Sequence, residues 1–302
     1  MSILSALETG AVAYFGLTVA FYLLSLRVPV AGFVARLLAS YAALISCASY
    51  GVLASIVLRL VGYGGNAQWA TARAFKYVMW LTTGVTFIIE DPNDYLNKTR
   101  PAVFIGNHQT ELDVLMLGCM FPKYTSVTAK KSLKNWPFLG WFMSLSGTVF
   151  IDRANSNSAR HAMAGAAEEI SRDRQNVYMF PEGTRSYAKE PMLLPFKKGA
   201  FHLAVQAGVP IVPVVVANYS DVLYLQGWRF NSGTIPMKVL KPIETKGLKT
   251  SDVEDLARDT RDLMLREMVS LTAKARGRPI AMPAQKSGDG VVKASGAEAT
   301  IS

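Results

Sequence analysis

Ala102-Val103-Phe104-Ile105-Gly106-Asn107-His108-Gln109-Thr110-Glu111-Leu112-Asp113-Val114-Leu115-Met116-Leu117 decides the fold. Ala102–Gly106 is a short apolar run and reads as a buried strand. Val114–Leu117 opens an apolar helix. His108 therefore leaves the end of a strand, and Asp113 stands about one turn inside the next helix. In open α/β sheets, ligands sit at the carboxyl ends of the strands.

The chemistry of this pair is narrow. Imidazole exchanges protons near neutral pH. A carboxylate on its other nitrogen fixes the tautomer and stabilises the imidazolium. On one continuous helix, five residues apart, the two side chains would point roughly 140° apart. Pairing therefore needs His108 in the loop and a helix that begins after it, with Thr110 as the expected N-cap. No Gly-x-Ser-x-Gly elbow supplies a nucleophile. A His-Asp pair without serine suits a base acting on the substrate's own hydroxyl. A capping box, Thr110-x-x-Asp113, accounts for the same letters without catalysis.

Outward from this stretch the pattern alternates. Strands are expected at Val85–Ile89, Ala102–Gly106, Ser126–Ala129, Thr148–Ile151, Val177–Phe180, Ile211–Val216 and Met237–Leu240. Helices are expected at Leu112–Cys119, Leu133–Leu145, Ser158–Arg172 and Gly199–Ala207, with a closing amphipathic helix over Asp252–Leu271. Such alternation predicts an α/β fold with a mainly parallel central sheet flanked by helices. The α/β domain is assigned to residues 85–273. Residues 274–302 are small and polar and read as a disordered tail.

The amino-terminal side differs. Residues 1–62 hold only four charges, Glu8, Arg27, Arg36 and Arg59. Ala11–Leu26 and Leu37–Leu58 are uncharged, and a bilayer core needs about 20 apolar residues. Two such runs without a basic leader read as a membrane helical hairpin rather than a cleaved signal. Arginines lie both in the connection and after the hairpin, so charge bias does not set its direction. Gly62-Tyr63-Gly64-Gly65-Asn66 is a hinge. Residues 63–84 form a linker and an interfacial helix, with Tyr77 and Trp80 at the interface.

The 302 residues carry a formal net charge of +10, which implies a negative partner. Anionic lipid or a phosphorylated substrate fits. No nucleic-acid partner is expected, because no helix-turn-helix, zinc or RNP pattern is present. The two cysteines, Cys47 and Cys119, form no metal or disulfide pattern, and His161 and His202 lack ligand spacing, so no metal is expected.

Three more stretches fall at strand ends. Gly147–Arg153 places Arg153 where a guanidinium can fork onto phosphate. Phe180-Pro181-Glu182-Gly183-Thr184-Arg185-Ser186 sets a carboxylate, a hydroxyl and a guanidinium on one turn. Arg185 can grip phosphate, and Glu182 can accept a hydroxyl or orient Arg185; a Pro-Gly turn with a solvated ion pair gives the same letters. Phe196-Lys197-Lys198-Gly199 leads into a helix whose N-terminus favours anions.

The order of these blocks, closing on Val209-Pro210-Ile211-Val212-Pro213-Val214, resembles the glycerolipid acyltransferase family, above all the 1-acyl-glycerol-3-phosphate acyltransferases. The resemblance runs from about Phe87 to Ile243. It implies His108 as general base and Asp113 as its orienting acid. It implies Arg153, Glu182, Gly183, Thr184 and Arg185 in acceptor binding, with Lys197 added from the anion-site reading. It implies acyl-CoA and lysophosphatidic acid as substrates, a phospholipid membrane as partner and no cofactor, since acyl-CoA is a co-substrate. Backbone N–H groups at the Asn107–His108 turn would stabilise the oxyanion. Leu133–Trp141 would border the acyl channel or dip into lipid. The active site would face the cytoplasm, at the endoplasmic reticulum of a eukaryote or the inner membrane of a bacterium. Another lysophospholipid or glycerol 3-phosphate remains an alternative acceptor, and a non-catalytic membrane-shaping or lipid-binding protein an alternative of another class.

Overall fold

The computed structural model describes residues 2–152 and 156–283. Two long apolar helices come first, α1 (Ile3–Leu24) and α2 (Pro29–Leu60), followed by α3 (Ala67–Thr83). The sheet domain then runs β1 (Val85–Glu90), α4 (Tyr95–Lys98), β2 (Val103–Gly106), α5 (Asp113–Met120), β3 (Thr125–Lys130) and α6 (Leu139–Leu145). It continues with β4 (Val149–Ile151), α7 (Ser156–Asp173), β5 (Asn176–Met179), α8 (Gly199–Ala207) and β6 (Ile211–Val216). A small hairpin, β7 (Leu223–Tyr224) and β8 (Arg229–Phe230), precedes β9 (Gly233–Val239) and the closing α9 (Val253–Arg276).

The seven-stranded sheet has the order β1-β9-β6-β2-β5-β3-β4. β6, β2, β5, β3 and β4 are mutually parallel, while β9 runs antiparallel to β6 and carries β1 with it. The carboxyl ends of five neighbouring strands therefore share one edge. Side chains alternate across the sheet with period two. In β2, Phe104 packs toward α3 and α5, whereas Val103 and Ile105 pack toward α7, α8 and α9. Two buried cores thus sandwich the sheet, as continuous apolar strands require.

α1 and α2 are long and apolar enough to cross a membrane. α2 keeps a buried stripe of small residues, from Ala31 through Ala35, Ala39, Ala43 and Cys47 to Gly51 and Ser55, against the domain. Arg36 fastens it by donating to the carbonyls of Thr83, at 3.1 Å, and Phe230, at 3.2 Å. The outer faces of α1 and α2 leave Val12, Phe15, Leu23, Leu53 and Val57 exposed.

Several boundaries differ from the sequence reading. Leu133–Leu145 is not one helix: a 3-10 turn over Lys131–Asn135 is separated from α6 by Pro137 and by Phe138 at φ 58. The last strand starts at Gly233 rather than Met237. Pro236 does not break it, because its carbonyl side faces past the end of the β6 ladder and accepts from Ala217 N–H. The β7–β8 hairpin has no counterpart among the expected strands. α9 runs past the expected end of the domain, to Arg276. That guanidinium is bound by Glu190 at 2.7 Å and Asp221 at 2.9 Å, and left-handed Gly277 ends the helix.

Candidate active site

The site grows from the end of β2. A Cβ at Gly106 would lie 1.8 Å from the Tyr178 hydroxyl, so only glycine fits there. Beyond it, the Asn107 amide continues the sheet. Its Nδ2 donates to the Val216 carbonyl at 3.0 Å and its Oδ1 accepts from Val216 N–H at 2.8 Å. His108 is thereby fixed just past the sheet edge.

Four contacts hold His108. Its N–H donates to Glu182 Oε1 at 2.7 Å, and its carbonyl accepts from Ser186 N–H at 3.0 Å. Its ring stacks on Phe180, with centroids 4.0 Å apart and an interplanar angle of 15°. Its Nδ1 lies 2.7 Å from Asp113 Oδ2. An ionised carboxylate only accepts, so Nδ1 carries the proton and Nε2 presents a lone pair. The imidazole keeps 15% exposure, while Asp113 keeps 1%. The base is reachable and its partner is not.

Asp113 opens α5 and acts as the hub of the turn. Its Oδ2 also accepts from Gln109 N–H at 2.6 Å and Thr110 N–H at 3.2 Å. Its Oδ1 accepts from the Tyr219 hydroxyl at 2.7 Å. Thr110 is not the N-cap. The residue before α5 is Leu112, without a side-chain cap, and Thr110 Oγ1 accepts from Leu112 N–H at 3.2 Å while bonding Tyr219 Oη. Burial, with the charge of Asp113, holds the Tyr219 phenol well above its ordinary value, so it stays a donor.

Glu182 sits after β5, buried to 3%. Both of its oxygens are taken, Oε1 by His108 N–H and Oε2 by Leu194 N–H at 2.8 Å. It therefore does not orient Arg185; it ties the β5 turn to the histidine. Burial lifts its carboxyl from 4.5 to about 7, against the pull of the two N–H donors.

A 46%-identical 1-acyl-sn-glycerol-3-phosphate acyltransferase from Saccharomyces cerevisiae aligns over 223 residues, 74% of this chain and 73% of that protein. The human 1-acyl-sn-glycerol-3-phosphate acyltransferase beta is 39% identical over 217 residues, covering 70% and 75%. The acyltransferase family model matches residues 88–217, which carry His108, Asp113 and Glu182 but stop short of Tyr219. The chain belongs to the acyltransferase family. A crystal structure of a 1-acyl-sn-glycerophosphate acyltransferase from Thermotoga maritima shares its fold. The TM-score is 0.60 at 20% identity, over 85% of this chain and 97% of that one.

The acyltransferase brings most of the sequence-derived residues to this edge. Arg185 Nη1 lies 2.9 Å from Glu111 Oε1 and 3.3 Å from the Tyr187 hydroxyl, so the guanidinium is drawn over the His108 turn. Gly183, at φ 69, takes the left-handed region that glycine tolerates. The Lys197 side chain lies over it: a Cβ there would meet its Cδ and Cε at 2.9 Å and its Nζ at 3.0 Å. Thr184 is exposed on the same turn. Arg153 lies outside the described residues. No cluster of three metal-ligating side chains occurs among the described residues.

The N–H groups of His108, Gln109 and Thr110 each donate to a carboxylate, so these three are not the donors for an oxyanion. Tyr219, Leu194 and the amide role of Asn107 escaped the sequence reading. The sequence marks Tyr219 only as the middle of Asn218-Tyr219-Ser220, a glycosylation tripeptide.

Proposed function

We propose that the acyltransferase moves an acyl group from acyl-CoA to the sn-2 hydroxyl of 1-acyl-glycerol 3-phosphate, giving phosphatidic acid. The observation that carries this reading is the reachable imidazole whose Nδ1 is held by a buried, fully engaged carboxylate. Relatives named 1-acyl-sn-glycerol-3-phosphate acyltransferase, at 46% and 39% identity, support the acceptor.

His108 Nε2 takes the proton of the sn-2 hydroxyl as its oxygen attacks the thioester carbon. The tetrahedral intermediate collapses with loss of the coenzyme A thiolate, and the imidazolium returns the proton to that sulfur. No acyl-enzyme forms. Asp113 stabilises the imidazolium and keeps the tautomer. Arg185 binds the acceptor phosphate, joined by Arg153 and Lys197, and turns a collision into a positioned attack. Glu182, Gly183 and Thr184 shape the turn on which Arg185 stands. The hairpin holds the enzyme in a membrane, endoplasmic reticulum or bacterial inner membrane, with the site on the cytoplasmic side where acyl-CoA is found.

Purified protein in detergent, given acyl-CoA and lysophosphatidic acid, should release free thiol in step with phosphatidic acid. A panel of other lysophospholipids and glycerol 3-phosphate should react more slowly. Equal turnover of acceptors that lack a phosphomonoester would remove the arginine clamp from the mechanism. Absence of thiol release from folded protein would overturn the reading.

A further inference from the structure

Proton transfer turns the His108 ring from neutral into a cation, in a place nearly closed to water. The imidazole keeps 15% exposure, and its Nδ1 is spent on Asp113. Nε2 is the atom that takes the proton. Only the two faces of the ring are left to solvate the new charge, and a cation without solvation is costly. One of those faces is covered by Phe180, with centroids 4.0 Å apart and planes 15° from parallel.

Neither ring is free to move away. Tyr178 and Phe180 stand two residues apart at the end of β5, so their side chains leave the chain on the same side. Their rings meet at 5.2 Å and 72°. Tyr178 is fully buried, with its hydroxyl in the space that Gly106 leaves by having no Cβ. The Phe180 carbonyl accepts from Gly183 N–H at 3.0 Å, which fixes the backbone beneath the ring. His108 is held through its own N–H and carbonyl. The stack is therefore built into the end of the sheet.

Its geometry suits a charge better than it suits packing alone. Neutral aromatic pairs settle offset or edge to face, as Tyr178 and Phe180 do. The negative face of a phenyl ring attracts a cation within about 6 Å of its centroid, and more strongly where water is excluded. The Asp113 carboxylate is present before and after the transfer, so the change that Phe180 meets is one full positive charge. An interaction that strengthens only as the charge appears lowers the barrier.

We propose that the face of Phe180 stabilises the His108 imidazolium during acyl transfer. Asp113 acts on the cation in the plane of the ring, and Phe180 acts on it from above. Phe180 touches neither substrate and works through His108, as a positioning residue whose π-face also offsets charge. The proposal rests on the reading of His108 as the general base.

The test replaces Phe180, in the full chain, by mono-, di- and trifluorinated phenylalanine. Fluorine drains the ring face of negative charge and barely alters its shape, so a purely structural role would leave the series flat. The charged groups around the imidazole, Asp113, Glu182, Glu111 and Arg185, are the same in every member. With acyl-CoA and lysophosphatidic acid in detergent, kcat should fall with each fluorine, by about tenfold at three. Both KM values and the melting temperature should hold. Phe180→Leu, which fills space without a face, should lose at least as much. A second readout needs no turnover. The chain has three histidines, so the His108 signal in histidine-labelled protein is assigned by its loss in His108→Ala. At about pH 6 its share of imidazolium should fall along the same series. A flat kcat and a flat imidazolium share would overturn the proposal. So would an effect confined to a substrate KM, which would make Phe180 part of a substrate pocket. Wild-type protein without thiol release would sink the acyl-transfer reading instead, and the imidazolium share would still decide the role of the ring.

Discussion

Tyr219→Phe removes one oxygen from a buried network and leaves the rest of the shape intact. The lost hydroxyl donates to Asp113 Oδ1 at 2.7 Å and lies 3.0 Å from Thr110 N–H. Asp113 is almost wholly buried, so no water replaces that donor. A hydrogen bond to a charged group contributes about 1.5–3 kcal/mol. That energy holds the carboxylate in the rotamer that faces His108. If all of it reaches the transition state, kcat falls about 10- to 100-fold, at about 1.4 kcal/mol per decade. Part will appear as lost stability, so the lower end is expected for kcat. The KM values for both substrates should stay put, because Tyr219 touches neither. The assay is thiol release, with melting temperature measured on the same samples. A cycle with Asp113→Asn isolates the route: both changes act through one carboxylate, so the Tyr219→Phe penalty should largely vanish in the double variant. Wild-type kcat in Tyr219→Phe, or additive losses in the cycle, would refute the hub role of Asp113.

Arg185→Ala should raise the KM for lysophosphatidic acid about 10- to 100-fold, and Arg185→Lys should recover it only in part, because an ammonium lacks the planar fork; an effect confined to acyl-CoA would reverse the assignment. Glu182 has a folded pKa of about 7, raised from 4.5. Its contribution to stability is therefore full below about pH 4.5 and is lost as pH rises through about 7. Against Glu182→Gln, which does not titrate, the wild type should lose about 2–3 kcal/mol of relative stability between pH 5 and pH 8; a gap that stays constant with pH would show that the carboxyl is not shifted. Asn97 is exposed on α4 within Asn97-Lys98-Thr99, yet should stay bare on expression in a eukaryotic cell if the domain faces the cytoplasm as proposed; a mobility shift on endoglycosidase treatment would put the domain in the lumen.

The central strands were legible because they are short continuous apolar runs between turn residues. Gly199–Ala207 and Ile211–Val216 match the observed α8 and β6 at both ends. The elements misread are those where a local signal conflicts with tertiary placement. Proline is ordinarily confined to strand edges, and the missing N–H of Pro236 falls beyond the β6 ladder. Pro137 interrupts the apolar run that reads as one helix over Leu133–Leu145. The His108–Asp113 pair was legible because both residues lie within one turn. Tyr219 was not, because it is 106 residues away in sequence and meets Asp113 only through the sheet order that sets β6 beside β2. Of the two roles open to Glu182 in the sequence, accepting a hydroxyl or orienting Arg185, the structure excludes the second. The sequence places it three residues from Arg185, but burial and two backbone donors turn it toward His108 and Leu194. Local letters name the chemical groups here, and non-local pairing settles their partners.

The central claim is that His108, held by Asp113, is the general base. The most direct measurement is the thiol-release rate of purified His108→Ala against wild type, with saturating acyl-CoA and lysophosphatidic acid, on protein whose melting temperature is unchanged. The account predicts a loss of about 10²–10⁴ in kcat, the usual share of a positioned base. A folded His108→Ala enzyme that releases thiol at the wild-type rate would contradict it.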